Sequence, residues 1–193
     1  MNLEPNEIVT EPVRIAFPSL FKPKPVMKGS DDLKWQAALL LPPDYDKKPL
    51  LACIKAVMLE KWGKVIKLTG RNMPIKSCAE KDLAGYEDGW FYVNTKSGYQ
   101  PSVLDQRKQE VLDEDRIFAG CWCRFHLKAY AWDNQFGKGV SFGLEAVQLV
   151  RTDERLGGRK PATEVFGEIE VDDLDVDGEG EDTEVDELDE LLG

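Results

Sequence analysis

Residues 121–133 read CWCRFHLKAYAWD, and taking every second position separates two chemistries. Cys121, Cys123, Phe125, Leu127, Ala129 and Ala131 make a small apolar series; Trp122, Arg124, His126, Lys128, Tyr130 and Trp132 make a series of large aromatics and cations. A β-strand turns successive side chains to opposite faces, so the spacing predicts a long strand with one face for a core. The other face suits an unpaired nucleic-acid strand. Flat rings stack on exposed bases for about 1–3 kcal/mol each, against about 0–1 kcal/mol for a solvated ion pair, and cations between the rings hold phosphates. Trp122, Tyr130 and Trp132 are the candidate stacking rings, with Arg124 and Lys128 as phosphate ligands. Tyr92 and Lys96 in WFYVNTKS repeat the pairing on another segment. Lys22, Lys24 and Lys28 in a basic loop, and Lys138 in the connection NQFGKG, would extend the phosphate track.

Packing is the competing reading, because strand aromatics are commonly buried under a helix or a partner subunit. It accounts for Trp122 or Trp132 singly. It accounts less well for Arg124, His126 and Lys128 between them, since unpaired charges are costly to bury.

Charge is distributed unevenly. The formal net charge of the 193 residues is −11, yet no Lys or Arg follows Lys160, while fifteen Asp and Glu lie between Glu164 and Gly193. The preceding chain holds all 25 basic residues against the remaining 21 acidic ones, a mildly basic body of +4 before a segment of −15. A segment so charged and so poor in apolar mass is expected to stay disordered. Tethered beside a basic groove, it would compete with a nucleic acid for that groove. Its end, Asp186, Glu187, Leu188, Asp189, Glu190, Leu191 and Leu192, spaces acids with leucines, as a docking peptide for partner proteins would.

Other chemistries find little support. One histidine and no GxSxG frame leave no nucleophile–base pair, LGGRKPAT lacks the spacing of a phosphate loop, and no enzyme activity or cofactor is indicated. Cys53, Cys78, Cys121 and Cys123 contain no CxxC pair; Cys121, Cys123 and the opposite-facing His126 fall short of a metal site, and buried thiols are the expectation. No apolar run reaches the eighteen or so residues of a membrane span, and the acidic N-terminus lacks the start of a signal peptide, so a cytoplasmic protein is expected.

These residues need elements to hold them. A frayed stretch is expected over 1–12, then a strand over VRIAFPSLF with Val13, Ile15 and Phe17 inward and Pro18 ending it. KWQAALLLPP (34–43) reads as a second strand. Pro49 opens a helix from Leu50 to Trp62, with Leu51, Ile54, Val57 and Met58 at helical spacing and Gly63 as cap. WFYVNTKS, the 121–133 stretch and VSFGLEAVQLVR supply further strands, PSVLD a short one, and 113–120 a short helix or turn. About five strands with one embedded helix predict a mainly β, small closed or partly closed barrel over residues 13–158, with 159–193 as the acidic tail.

VRIAFPSLFKPK, KWQAALLLPPD, IKAVMLEKWG, DGWFYVNTKS, the long segment from Gly120 to Gly158 and the acidic end resemble the bacteriophage and prophage single-stranded DNA-binding proteins of the Enc34 type. The likeness runs from about residue 12 to residue 160, and KGVSFGLEAVQ is its most specific piece. It implies an oligonucleotide/oligosaccharide-binding (OB) fold, sequence-independent binding of single-stranded DNA in phage replication, and a flexible acidic C-terminus. The strand from Trp122 to Trp132, Tyr92 to Lys96 and the hairpin from Phe136 to Phe142 match its motif segments, which adds Phe136 to the candidate contacts. The expected partners are single-stranded DNA and, through the tail, replication or recombination proteins, with homo-oligomers or cooperative assembly on DNA in view. A protein-interaction module of recombination or virion assembly, or a binder of single-stranded RNA, remain alternatives.

Overall fold

The computed structural model describes residues 3–79, 81–135 and 137–157. All of them belong to one compact unit, Met1–Gly158. The acidic tail and its Asp186–Leu192 end lie outside the described residues, as does Phe136. Eight strands and one α-helix are described: β1 (Glu7–Val9), β2 (Val13–Pro25), β3 (Leu33–Leu41), α1 (Lys48–Trp62), β4 (Ile75–Ser77), β5 (Phe91–Ser97), β6 (Ser102–Leu104), β7 (Trp122–Asn134) and β8 (Gly137–Arg151). No described helix is long and apolar enough to cross a membrane.

Five of these strands pair in a ring. β2 pairs with β3, β3 with β5, β5 in parallel with β8, β8 with β7, and β7 returns to β2. Two joints are short: Thr95 and Lys96 against Phe142 and Gly143, and Val13 and Arg14 against Cys123 and Trp122. A five-stranded, partly open ring with one parallel joint is the OB arrangement.

Alternation builds the core. Ile15, Leu39, Val93, Phe125, Leu127, Phe142 and Leu144 point inward and are at most 1% exposed. α1 buries Leu50, Cys53, Ile54, Val57 and Met58, one stripe at the i, i+3, i+4, i+7 spacing, against this core and close to β7. The helix ends at Gly63, whose N–H donates to the Leu59 carbonyl at 2.9 Å.

Four sequence expectations are corrected. Residues 7–9 are not frayed: they form β1, registered Glu7 to Lys128 along β7, and Thr10 behind them is fully buried, its hydroxyl accepting from the Phe125 amide at 3.0 Å. Pro18 does not end β2. The register of β2 on β3 slips between Ala16 and Ser19, and Phe17 takes φ 48°, so the chain bulges and the strand resumes to Pro25. Proline is tolerated in a strand at such a bulge. Phe17 accordingly turns outward, and Lys22 and Lys24 sit on a strand instead of in a loop.

The outer face of β2, β3 and β5 carries a second, smaller core. Ala16, Ala38, Leu40 and Tyr92 lie under Cys78, Tyr86, Trp90 and Leu156. The segment after β8 reaches this cover as a strap. Arg14 donates to the Glu154 carbonyl at 2.9 Å and to the Gly120 carbonyl at 3.3 Å, and the Leu156 N–H donates to the Ala119 carbonyl at 2.9 Å.

Candidate nucleic-acid interface

The long strand β7 presents the two faces expected of it, with Cys121 to Ala129 buried on one side and the aromatic–cationic series on the other. The neighbours of that second series decide what each side chain can do, and they divide it into three parts.

At the start of β7, Trp122 is occupied. Its indole N–H donates to Asp153 Oδ2 at 2.7 Å, and the Arg151 guanidinium lies over its ring, 4.6 Å from the centroid. That indole bond, first among several, holds the Asp153 carboxyl down at about 2. Arg124 donates to the Thr10 carbonyl at 3.1 Å. His126 is half-buried, and its Nε2 has no hydrogen-bond partner among the described residues. At the far end Trp132 donates to Ser141 Oγ at 3.0 Å and lies flat on Gly139, where an added Cβ would fall 2.2 Å from the ring. Both tryptophans are thus half-buried and tied to neighbours through their indole N–H groups.

Tyr92 is not the open ring expected of it. Only 7% of it is exposed, because Tyr86 packs against its ring at 5.3 Å between centroids. Among the expected phosphate ligands, Lys22 bridges Glu114 at 2.8 Å, and Lys138 lies 3.5 Å from Asp133 and over the Trp62 ring. Lys24 stands opposite Lys34 in the β2–β3 register.

The middle of the outer face is different. The registers place Gln36, Lys96, Gly143, Lys128 and Glu7 in one row across β3, β5, β8, β7 and β1. Gly143 has no side chain to fill the row's centre, and an open groove of about 500 Å³ lies over it. Lys34, Lys96 and Lys128 line the groove together with Tyr99 and Tyr130. Tyr99 is 85% exposed and Tyr130 48% exposed. Tyr99 follows β5 in a short turn in which its amide donates to Ser97 Oγ at 3.2 Å.

The three lysines are not equivalent. Lys34 bridges Asp32 at 3.1 Å, and Lys128 bridges Glu4 at 2.9 Å and Glu7 at 3.3 Å. Such exposed pairs contribute about 0–1 kcal/mol, so an incoming phosphate displaces a carboxylate at little cost. No ion pair holds Lys96 among the described residues, and burial pushes its ammonium below its ordinary value. A partly desolvated cation in no ion pair, with only the longer-range field of the Asp32 carboxylate on it, is a ready ligand for an anion. Of the expected contacts, this groove gathers Lys96, Lys128 and Tyr130. Lys34, Tyr99 and Gly143 were missed, although SGYQ directly after the Lys96 strand, an aromatic beside a glycine, was a signal for Tyr99.

The family model described as the Enterobacter phage Enc34 single-stranded DNA-binding protein matches residues 6–176. The chain belongs to that family. Among solved structures, the Enc34 protein in complex with single-stranded DNA is similar at TM-score 0.68 and 22% identity, over 79% of this chain and 90% of that one. The Enc34 protein described without DNA gives 0.67 and 22%, over 83% and 89%. The single-stranded DNA-binding protein gp2.5 of bacteriophage T7 gives 0.56 and 14%, over 77% and 93%. At these identities the likeness is one of fold, and it agrees with the OB-like ring. No curated protein matches the chain.

Proposed function

We propose that this protein binds single-stranded DNA without acting on it chemically, coating the strand during phage DNA replication or recombination, and that the DNA crosses the Gly143 groove. The observation that carries this is the juxtaposition of an unpaired Lys96 with two exposed rings, Tyr99 and Tyr130, over a floor with no side chain. Bases stack on the tyrosines while phosphates take Lys96 and exchange for the carboxylates on Lys34 and Lys128. Membership of the Enc34 family supports the ligand, and the complex of the Enc34 protein with single-stranded DNA supports the use of this fold for it.

Salt dependence tests it. Each phosphate neutralised on a single strand contributes about −0.7 to the slope of log K against log salt, so Lys34→Ala with Lys96→Ala should flatten the slope by about 1.4. Fluorescence anisotropy with a labelled oligonucleotide measures it, and an unchanged slope would remove these lysines from the phosphate path.

The acidic segment from Glu164 is proposed to compete for the same groove and to recruit replication or recombination proteins through Asp186–Leu192. Its charge of −15 acts on the +4 body at the high effective concentration that a tether gives. Deleting residues 164–193 should tighten DNA binding, most at low salt, where screening is weakest. Equal affinities at every salt concentration would dispose of the competition.

A further inference from the structure

One carboxylate in the groove has no place in a surface that only holds phosphates. Glu145 lines it, is exposed, and makes no ion pair or hydrogen bond among the described residues. A carboxylate unneutralised by a cation repels every phosphate that enters.

The backbone shows how it comes to be there. β7 and β8 pair His126 with Ala146 and then Leu127 with Leu144, so Glu145 is an extra residue with no partner on β7. Alternation from Gly143 puts Glu145 on the groove face, and the bulge shifts the residues that follow, so that Val147 turns inward and Ala146 does not. The Leu144 and Val147 side chains are buried while Glu145 joins Gly143 along the groove. A Cβ added at Gly143 would lie 3.6 Å from Glu145 Oε1 and 3.5 Å from the Lys128 carbonyl oxygen, so the carboxylate stands over the bare floor between Lys96 and Lys128.

We propose that Glu145 reads the base in this groove by accepting a hydrogen bond from an exocyclic amino group. This deepens, and rests on, the single-stranded DNA reading. An ionised carboxylate only accepts hydrogen bonds. Cytosine offers its N4 amino group, and carboxylates take it; on an unpaired thymine the one donor, N3–H, lies between O2 and O4, two acceptors that repel a carboxylate, and O4 stands where cytosine has the amino group. The binding is therefore graded by base, with a strand of cytosines held more tightly than an equal strand of thymines.

The test is a titration of the full chain with labelled dC and dT oligonucleotides of equal length, at mildly alkaline pH and with a chelator present. The wild type should prefer dC by about fivefold, the lower end of what one base-edge contact discriminates. Glu145→Ala should bring the ratio close to one while leaving dT binding as tight or tighter, and Glu145→Gln, whose amide can also donate to thymine O4, should lower the ratio as well. A wild type without preference overturns the proposal. So does a Glu145→Ala variant that tightens both strands equally, because the carboxylate then only repels phosphate. Parallel rU and dT titrations cover the other donor, the ribose 2′-hydroxyl: if Glu145→Ala changes the rU-to-dT ratio and leaves dC-to-dT alone, the sugar is what Glu145 reads. Absence of binding to every strand by the wild type would sink the parent reading itself.

Discussion

Tyr99→Ala combined with Tyr130→Ala is expected to weaken binding of single-stranded oligonucleotides by on the order of 30-fold at least, because each base–ring stack contributes about 1–3 kcal/mol. The fold should not notice. Tyr99 is 85% and Tyr130 48% exposed, and neither hydroxyl holds a hydrogen bond among the described residues, so the melting temperature should move little. Trp122→Ala with Trp132→Ala should behave the other way round. It empties the space over Gly139 and strips Asp153 and Arg151 of their indole contact, so stability falls while much of the affinity remains. Anisotropy titrations beside thermal melts of both double variants separate the two roles. Tyrosine variants that bind normally would take the stacking out of the groove.

Gly120→Ala is expected to have the largest effect on stability. Gly120 sits at φ 112°, and a Cβ there would fall 2.1 Å from the Glu154 carbonyl oxygen, a backbone atom that cannot swing aside. Conformational strain and overpacking each cost about 1–3 kcal/mol, so the variant should lose about 3 kcal/mol. For a domain of this size that is a fall in melting temperature of about 6–12 °C. The damage has a specific address. Displacing Glu154 loosens the strap that carries Leu156 onto Ala16, Leu40, Tyr92 and Cys78. Cys78 is 1% exposed, and its burial pushes the thiol up to about 11, so in the wild type it is inert. In the variant it should react with a thiol reagent well below the melting temperature. A Cys78 that stays protected would mean the strap does not depend on Gly120.

What could be read from the sequence was local. The alternation of β7 fixed which side of residues 121–131 faces the core, and Pro49, the apolar stripe and Gly63 bracketed α1 to within two residues at its start. What could not be read depends on partners far along the chain. Lys128 meets Glu4, 124 residues away; Trp122 meets Asp153; and Tyr92 is covered by Tyr86 and Leu156, from segments without regular pattern. The groove eluded the one-strand reading for the same reason. Its row of Lys96, Gly143 and Lys128 comes from three strands brought together by register, and its centre is a glycine, a residue that a search for rings and cations passes over. Bulges were equally opaque, since Pro18 looked like a strand end, and nothing in FGLEAVQ marks Glu145 as the unpaired residue.

Mapping backbone amide shifts while a thymine oligonucleotide is titrated into the full chain tests the groove most directly. The largest changes should fall at Lys34, from Lys96 to Tyr99, at Tyr130 and at Gly143, with little change around Trp122, Arg151 and Asp153. Changes centred on Trp122 and Arg124, with Tyr99 and Gly143 silent, would contradict the account and return the binding face to the start of β7.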